Sequence, residues 1–166
     1  KAIRWVRDHA KEYGGDPDKL FVMGHSAGAH LAALVCTDDR FLKAEGVPLA
    51  SIRGCIPIDV SVYDSPKRIA MTGAPGTGTF QELFGESTET QADYSPVAHV
   101  AKGKDIPAFL ILHVADRPET KEQSHHFADA LKAAGVEATV VAGEGKTHGT
   151  INTELTTVND DVTKAF

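Results

Sequence analysis

Short apolar runs alternate with longer amphipathic stretches along this chain. Four runs are almost wholly apolar, as expected of strands that are covered on both faces of a sheet: Leu20–Met23, Ile52–Val60, Ala108–Val114 and Ala138–Val141. Three longer stretches have the apolar spacing or small-residue content of helices: Lys1–Tyr13, the residues from Ala29 to about Thr37, and Pro118–Ala134. This alternation predicts an α/β fold with a mostly parallel sheet and flanking helices.

The alternation is interrupted between the second and third predicted strands. Residues 61–105 are rich in glycine and proline and contain one short helical pattern, around Phe80–Phe84. A connection of this length inside a compact domain usually has a function. We therefore expect 61–105 to form a cap-like excursion over a site, within a single domain that spans residues 1–166.

Composition and charge limit the kinds of partner that the chain is expected to bind. The chain has 166 residues, 42% of them hydrophobic, and a net charge of −6 without a cluster of Lys or Arg. A nucleic-acid partner is therefore excluded on charge grounds, and no apolar run has the length that a membrane span requires. Cys36 and Cys55 lie in apolar elements, so we expect small buried side chains and neither a disulfide nor a metal site. No cofactor is indicated.

The segment Gly-His-Ser-Ala-Gly, residues 24–28, joins the first predicted strand to the helix that follows. Gly24 and Gly28 leave room where the strand and helix backbones nearly touch, which places Ser26 at the apex of a sharp turn. The pentapeptide alone is a weak signal, and its position between a strand and a helix makes it specific. The segment predicts a nucleophile elbow; the alternative is a tight turn in which Ser26 only caps the helix.

A serine nucleophile needs a base, and the base needs a group that orients it. His148 lies in the glycine-rich loop that follows the fourth predicted strand, and Asp116 follows the third. Because the carboxyl ends of parallel strands meet at one edge of a sheet, these side chains should converge. We therefore predict Ser26 as nucleophile, His148 as base and Asp116 as acid.

Other residues compete for two of these roles. His99, in the excursion, is an alternative base, and Asp59, at the carboxyl end of the second predicted strand, is an alternative acid that we rank behind Asp116. Asp116 could also serve only to cap the next helix. His25 is too close to Ser26 in sequence to act as its base, and we expect its side chain to point away beneath the elbow.

The negatively charged intermediate of acyl transfer needs two hydrogen-bond donors. The amide of Ala27, directly after the nucleophile at the start of a helix, is predicted to be the first. The second should come from a loop of the His-Gly-Gly type after an earlier strand, and this sequence contains no such loop.

Three segments of the chain resemble the α/β-hydrolase superfamily, in its carboxylesterase branch near the hormone-sensitive-lipase-like and kynurenine-formamidase-like enzymes. They are residues 14–32, with Gly-Gly-Asp-Pro before the elbow, residues 112–118, with Leu-His-Val-Ala-Asp-Arg-Pro, and residues 146–152, with Lys-Thr-His-Gly-Thr-Ile-Asn. The resemblance implies Ser26 as nucleophile, Asp116 as acid and His148 as base. Members of this superfamily carry further strands and the oxyanion loop upstream, so we expect this chain to be the C-terminal part of such a domain, lacking its first strands.

The function expected from these residues is a serine hydrolase that cleaves carboxylic esters of small substrates through an acyl-enzyme. Arylformamidase activity of the N-formylkynurenine type, or feruloyl or acetyl-xylan esterase activity, would need the same three residues. A non-catalytic fragment or binding domain on the same scaffold is an alternative of another class. A nucleotide-binding domain is disfavoured, because the glycines of residues 73–78 follow no strand and lack the required lysine. The expected partner is a small ester or amide, and the sequence does not indicate an oligomeric state.

Overall fold

A parallel sheet of four strands forms the centre of the structure, a computed structural model that describes residues 1–72, 77–157, 160 and 162–165. The strands lie in the order β1-β2-β3-β4, and each neighbouring pair is parallel. Their bounds are β1 Leu20–His25, β2 Ile52–Ile58, β3 Ala108–Val114 and β4 Ala138–Gly143. The predicted α/β class and all four predicted strands are confirmed. Strands β1 and β4 extend further than predicted, and β2 ends two residues earlier than predicted.

The three predicted helices flank the strands, and two short helices that the sequence does not predict, over Arg40–Lys43 and Thr150–Thr153, accompany them. Their bounds are α1 Ala2–His9, α2 Ala27–Thr37, α3 Arg40–Lys43 and, after the excursion, α7 Pro118–Ala133 and α8 Thr150–Thr153. The first predicted helix divides into α1 and a 3₁₀ turn over Ala10–Tyr13, which ends at Gly14 with a left-handed φ of 78°.

Helices α2 and α7 pack against the sheet through one continuous core. This larger core joins apolar side chains of α2 and α7 to Cys55, Phe109 and Ile111 of the sheet. Leu112, next to Ile111 on β3, faces the other way, because successive side chains of a strand alternate between the two faces; it belongs to a smaller core with α8. Both cysteines are buried and unpaired, as predicted.

The excursion between β2 and β3 is more helical than its composition predicts. Its described residues contain α4 Ser65–Thr72, α5 Thr77–Phe84, α6 Thr88–Asp93 and a 3₁₀ turn over Pro96–His99. The sequence predicts only the end of α5, because these helices are short and draw their stability from packing rather than from propensity. The side chain of Gln123 in α7 accepts hydrogen bonds from the backbone N–H groups of Tyr63 and Asp64, which joins the start of the excursion to the core.

Two predicted features fall partly outside the described residues. The glycine-rich stretch 73–78 includes residues 73–76, and the last segment, 158–166, where the sequence also predicts the start of a helix, includes 158, 159, 161 and 166. Within the described part of that last segment, Thr163–Ala165 forms a 3₁₀ turn. Among the helices of the described residues, none combines the length and the apolar character that crossing a membrane would need.

Candidate active site

The turn between β1 and α2 has the geometry of a nucleophile elbow. Ser26 occupies a φ of 57° and a ψ of −124°, a region that residues other than glycine rarely adopt and that is found at functional sites. A Cβ atom added at Gly24 would lie 2.2 Å from the carbonyl oxygen of Gly28, whereas one added at Gly28 would meet no atom within 4 Å. The close approach of strand and helix therefore requires a glycine at position 24, while position 28 contributes its backbone.

The structure brings Ser26 and His148 together. The Oγ atom of Ser26 lies 3.0 Å from Nε2 of His148, which is hydrogen-bonding distance. Ser26 follows β1 at one edge of the sheet, whereas His148 lies in the loop between β4, at the opposite edge, and α8. The loop therefore reaches back across the carboxyl ends of the strands to the elbow.

Asp59, and not Asp116, provides the carboxylate that contacts His148. Its Oδ2 atom lies 2.6 Å from Nδ1 of His148, and its Oδ1 atom accepts a hydrogen bond of 3.0 Å from the backbone N–H of Val114. Burial of this side chain by itself raises the pKa of Asp59. Hydrogen bonds from Val114 and His148 and the charge of Arg117 together lower it by more than burial raises it, so the pKa of Asp59 lies below its usual range. Asp59 is therefore an ionised carboxylate at neutral pH.

Asp116 lies elsewhere, which corrects the contact that the sequence predicted for it. Its side chain is exposed and lines a separate cavity together with His113, Lys121 and His125. Two structural features explain why Asp59, and not Asp116, contacts His148. Asp59 directly follows β2, which lies beside the strand that carries Ser26, whereas the turn after β3 directs Arg117 rather than Asp116 towards His148.

Arg117 adds a positive charge beside this pair. Its Nη1 atom contacts Oδ2 of Asp59 and lies 2.9 Å from Nδ1 of His148, and Glu119 accepts hydrogen bonds of 3.2 and 3.1 Å from its Nε and Nη2 atoms. An ionised carboxylate oxygen 2.6 Å from Nδ1 of His148 requires a proton on that nitrogen. Nδ1 therefore donates to Asp59 and not to Arg117, whose guanidinium can only donate, and the two donors converge on one carboxylate oxygen. Nε2 of His148 is then left with a lone pair that can accept the Ser26 proton.

A cavity of about 360 Å³ opens beside these residues. Ser26, Asp59 and His148 line it, and apolar side chains form much of the remaining lining: Leu31, Val60, Val62, Phe80, Leu83 and Phe84. Ala27 also lines the cavity, and its amide is the first of α2, one of the N–H groups that a helix leaves without an internal partner.

Two further histidines, His30 and His99, have structural contacts. His30, on α2, contacts the backbone carbonyl of Tyr94 through Nε2 at 2.9 Å, and its ring lies 5.1 Å from that of Phe84. Burial lowers the pKa of His30, against the smaller opposing effect of that hydrogen bond. His99, the alternative base, instead contacts the carbonyl of Asp93 at 2.8 Å.

A family profile described as the alpha/beta hydrolase fold matches residues 1–152, almost the whole chain. The chain belongs to this family. The four-stranded parallel sheet with its flanking helices is accordingly an alpha/beta hydrolase fold.

Similar proteins are named as esterases. Esterase LipQ of Mycobacterium tuberculosis is 33% identical over 159 residues, which cover 87% of this chain and 35% of LipQ. A probable isoprenylcysteine alpha-carbonyl methylesterase of Arabidopsis thaliana, ICMEL1, is 29% identical over 88% of this chain and 33% of its own length. Among solved structures, the butyrate-bound thermophilic esterase Est2 of Thermogutta terrifontis matches with a TM-score of 0.67 and 31% identity, covering 99% of this chain and 58% of Est2. The chain thus spans about a third of the length of these curated relatives.

Sequence reasoning misses three contacts of the site. It ranks Asp59 second, although the place of this residue directly after the strand beside the elbow is a usable signal. The approach of Arg117 cannot be inferred from sequence, because it depends on how the turn after β3 is oriented. His25 is expected beneath the elbow, yet its Nε2 atom lies 2.7 Å from the backbone oxygen of His148.

No group of three metal-ligating side chains among the described residues is arranged to hold a metal ion.

Proposed function

We propose that this chain supplies the nucleophile, base and acid of a serine hydrolase that cleaves carboxylic esters of small substrates. One observation carries the proposal: His148 is within hydrogen-bonding distance of Ser26 on one ring nitrogen, at 3.0 Å, and of Asp59 on the other, at 2.6 Å. Three side chains from distant parts of the chain have no packing reason to form such a series. The esterase names of the relatives support the same reaction class.

In the proposed mechanism, Oγ of Ser26 attacks the ester carbonyl carbon while Nε2 of His148 accepts the hydroxyl proton. Asp59 keeps the Nδ1 proton of His148 in place and stabilises the positive charge that forms on the ring. The amide of Ala27 donates to the oxyanion. Collapse of the intermediate breaks the bond to the alcohol oxygen, which takes the proton from Nε2 and leaves an acyl group on Ser26.

The second half of the reaction repeats these steps with water. His148 removes a proton from the water as its oxygen attacks the acyl carbonyl, and the proton then returns to Oγ of Ser26 as the acid is released. The apolar cavity walls suit an uncharged substrate. We propose that the excursion of residues 61–105 acts as a cap here, because α5 contributes Phe80, Leu83 and Phe84 to those walls.

A fluorophosphonate probe tests the proposal, because such probes phosphonylate an activated serine. The protein should be labelled and should hydrolyse p-nitrophenyl acetate, and Ser26→Ala should abolish both. Ser61→Ala is the matched control: Ser61 lines the same cavity, and no imidazole contacts it within the described residues, so labelling should persist. Hydrolysis by Ser26→Ala at the wild-type rate would contradict the proposal.

The substrate class can be measured on the same preparation. Turnover of p-nitrophenyl acetate, N-formylkynurenine and acetylated or feruloylated xylan should be compared. We expect the simple ester to be cleaved with the highest kcat/KM. A clear preference for N-formylkynurenine would instead assign arylformamidase activity to the same three residues.

A further inference from the structure

His25, the residue immediately before the nucleophile, contacts the backbone of the base. Its Nε2 atom lies 2.7 Å from the backbone carbonyl oxygen of His148. A carbonyl oxygen only accepts, so Nε2 of His25 carries the proton and donates it. The two imidazole rings also lie against each other, with centroids 4.5 Å apart and planes inclined by 36°, which is within the range of aromatic contacts.

The histidine loop has other internal hydrogen bonds, but these hold its neighbouring residues. The N–H of Thr147 donates to Oγ1 of Thr150 at 2.8 Å, and the carbonyl of Thr147 accepts from the N–H of Ile151 at 3.0 Å. The carbonyl of His148, by contrast, is bound by a side chain of β1. The hydrogen bond from His25 therefore joins the backbone of the base directly to the strand that leads into Ser26.

We propose that His25 is a positioning residue, which sets the distance and ring orientation of His148 relative to Ser26. The inference rests on the proposed function. His25 touches neither the reacting oxygen nor the cavity that we assign to the substrate, so it acts through His148. The Nε2–H group of His25 holds the backbone of His148 in place, and the ring of His25 packs against the side chain of His148. A displacement of about 1 Å between reacting groups can cost about 10²-fold in rate, so this contact has a measurable consequence.

Three substitutions separate the two contributions. His25→Gln retains an N–H donor at a similar distance from the backbone and removes the ring, whereas His25→Phe retains the ring and removes the donor. His25→Ala removes both. We expect His25→Ala to lower kcat about 10²-fold, with KM near the wild-type value because the substrate cavity is unchanged. His25→Gln and His25→Phe should each recover part of this loss, to about tenfold below wild type.

The measurements are kcat and KM for p-nitrophenyl acetate, the rate of fluorophosphonate labelling at Ser26, and Tm for each variant. His125→Gln, on the exposed face of α7, is the control for a histidine substitution away from the loop. Full wild-type kcat in His25→Ala would overturn the inference. So would equal losses in all three variants that track a lower Tm, because a purely structural role predicts no recovery by Gln or Phe.

The outcome for His25 is separable from the outcome for the proposed function. Wild-type protein that is not labelled at Ser26 would count against the function itself. Normal labelling of the wild type together with an unimpaired His25→Ala variant would count against His25 alone. If His25→Ala does not fold, the two variants that retain most of the side-chain volume still decide: a kcat about tenfold below wild type at a near wild-type Tm in His25→Gln and His25→Phe supports a positioning role, and wild-type kcat in both contradicts it.

Discussion

The elbow and the histidine–carboxylate side of the site are built in different ways. The elbow is local: a buried strand, a turn and a helix follow each other directly in the chain, and a Cβ atom at Gly24 would lie 2.2 Å from a backbone oxygen. The other side is assembled from Asp59, Arg117 and His148, each on a different segment. Steric constraints between neighbours fix the first region, and tertiary contacts fix the second. Sequence motifs therefore indicate the proposed nucleophile more securely than its proposed partners.

The largest expected effect distinguishes the role of Asp59 from that of Asp116. Asp59→Asn should lower kcat for p-nitrophenyl acetate about 10⁴-fold, because an amide neither selects the required tautomer of His148 nor stabilises its charged form. Asp116→Asn should leave kcat near the wild-type value, since its exposed side chain lines another cavity. Each variant replaces one carboxylate by an amide, so the two variants have the same net charge. Loss of activity in Asp116→Asn alone would restore the assignment that the family resemblance implies.

The next effect concerns the elbow and compares its two glycines. Gly24→Ala places a methyl group against the backbone of Gly28, and an overpacked site of this kind costs about 3 kcal/mol. For a domain of this size that corresponds to a decrease in Tm of about 6 to 12 °C. Gly28→Ala is the matched control, because its Cβ would meet no atom within 4 Å. Thermal unfolding followed by circular dichroism measures both, and equal losses of Tm would show that the contact at Gly24 is not the constraint.

The same contrast explains what can be predicted from sequence. Strands β1 to β4 are predictable because each is a short apolar run between turn residues, and α7 because Phe127, Leu131 and its other buried residues recur on one face. Ser26 and His148 are predictable because glycines mark their turns. The partner of His148 is not, because Asp59 and Asp116 both follow strands, and the choice depends on which turn faces the loop.

The excursion shows the other limit of prediction. Helix α6 has few apolar residues and is held by individual tertiary contacts, such as the hydrogen bond from Nε2 of His30 to the carbonyl of Tyr94, the residue that follows this helix. Such contacts join positions far apart in sequence and leave no periodic pattern. The apolar walls of the cavity are therefore less predictable from sequence than Ser26 and His148, which line the same cavity.

The smallest expected effect tests a second attachment of the histidine loop, at Lys146. Its Nζ atom lies 2.6 Å from a carboxylate oxygen of Glu154 and 2.7 Å from one of Asp160, and Thr163 donates to Asp160 through its N–H at 2.7 Å. Hydrogen bonds from Lys146 and Thr163 lower the pKa of Asp160 from 3.8 to about 2. This loop is thus joined to β1 by His25 and to the end of the described chain by Lys146.

We expect Lys146→Met to lower Tm at neutral pH by less than Gly24→Ala does, because the buried carboxylate of Asp160 keeps its hydrogen bonds from Thr163 when the lysine is removed. A carboxyl whose folded-state pKa is depressed stabilises the fold above its unfolded-state pKa, and this contribution disappears as pH falls through the folded-state pKa. The difference in Tm between wild type and Lys146→Met should therefore be constant above about pH 4 and shrink as the pH approaches the Asp160 pKa of about 2. Lys19→Met, in an exposed ion pair 3.8 Å long, is the control and should change Tm little at any pH. A Tm difference for Lys146→Met that stays the same down to the lowest pH would show that packing of the lysine stem, and not its charge, holds the loop to this segment.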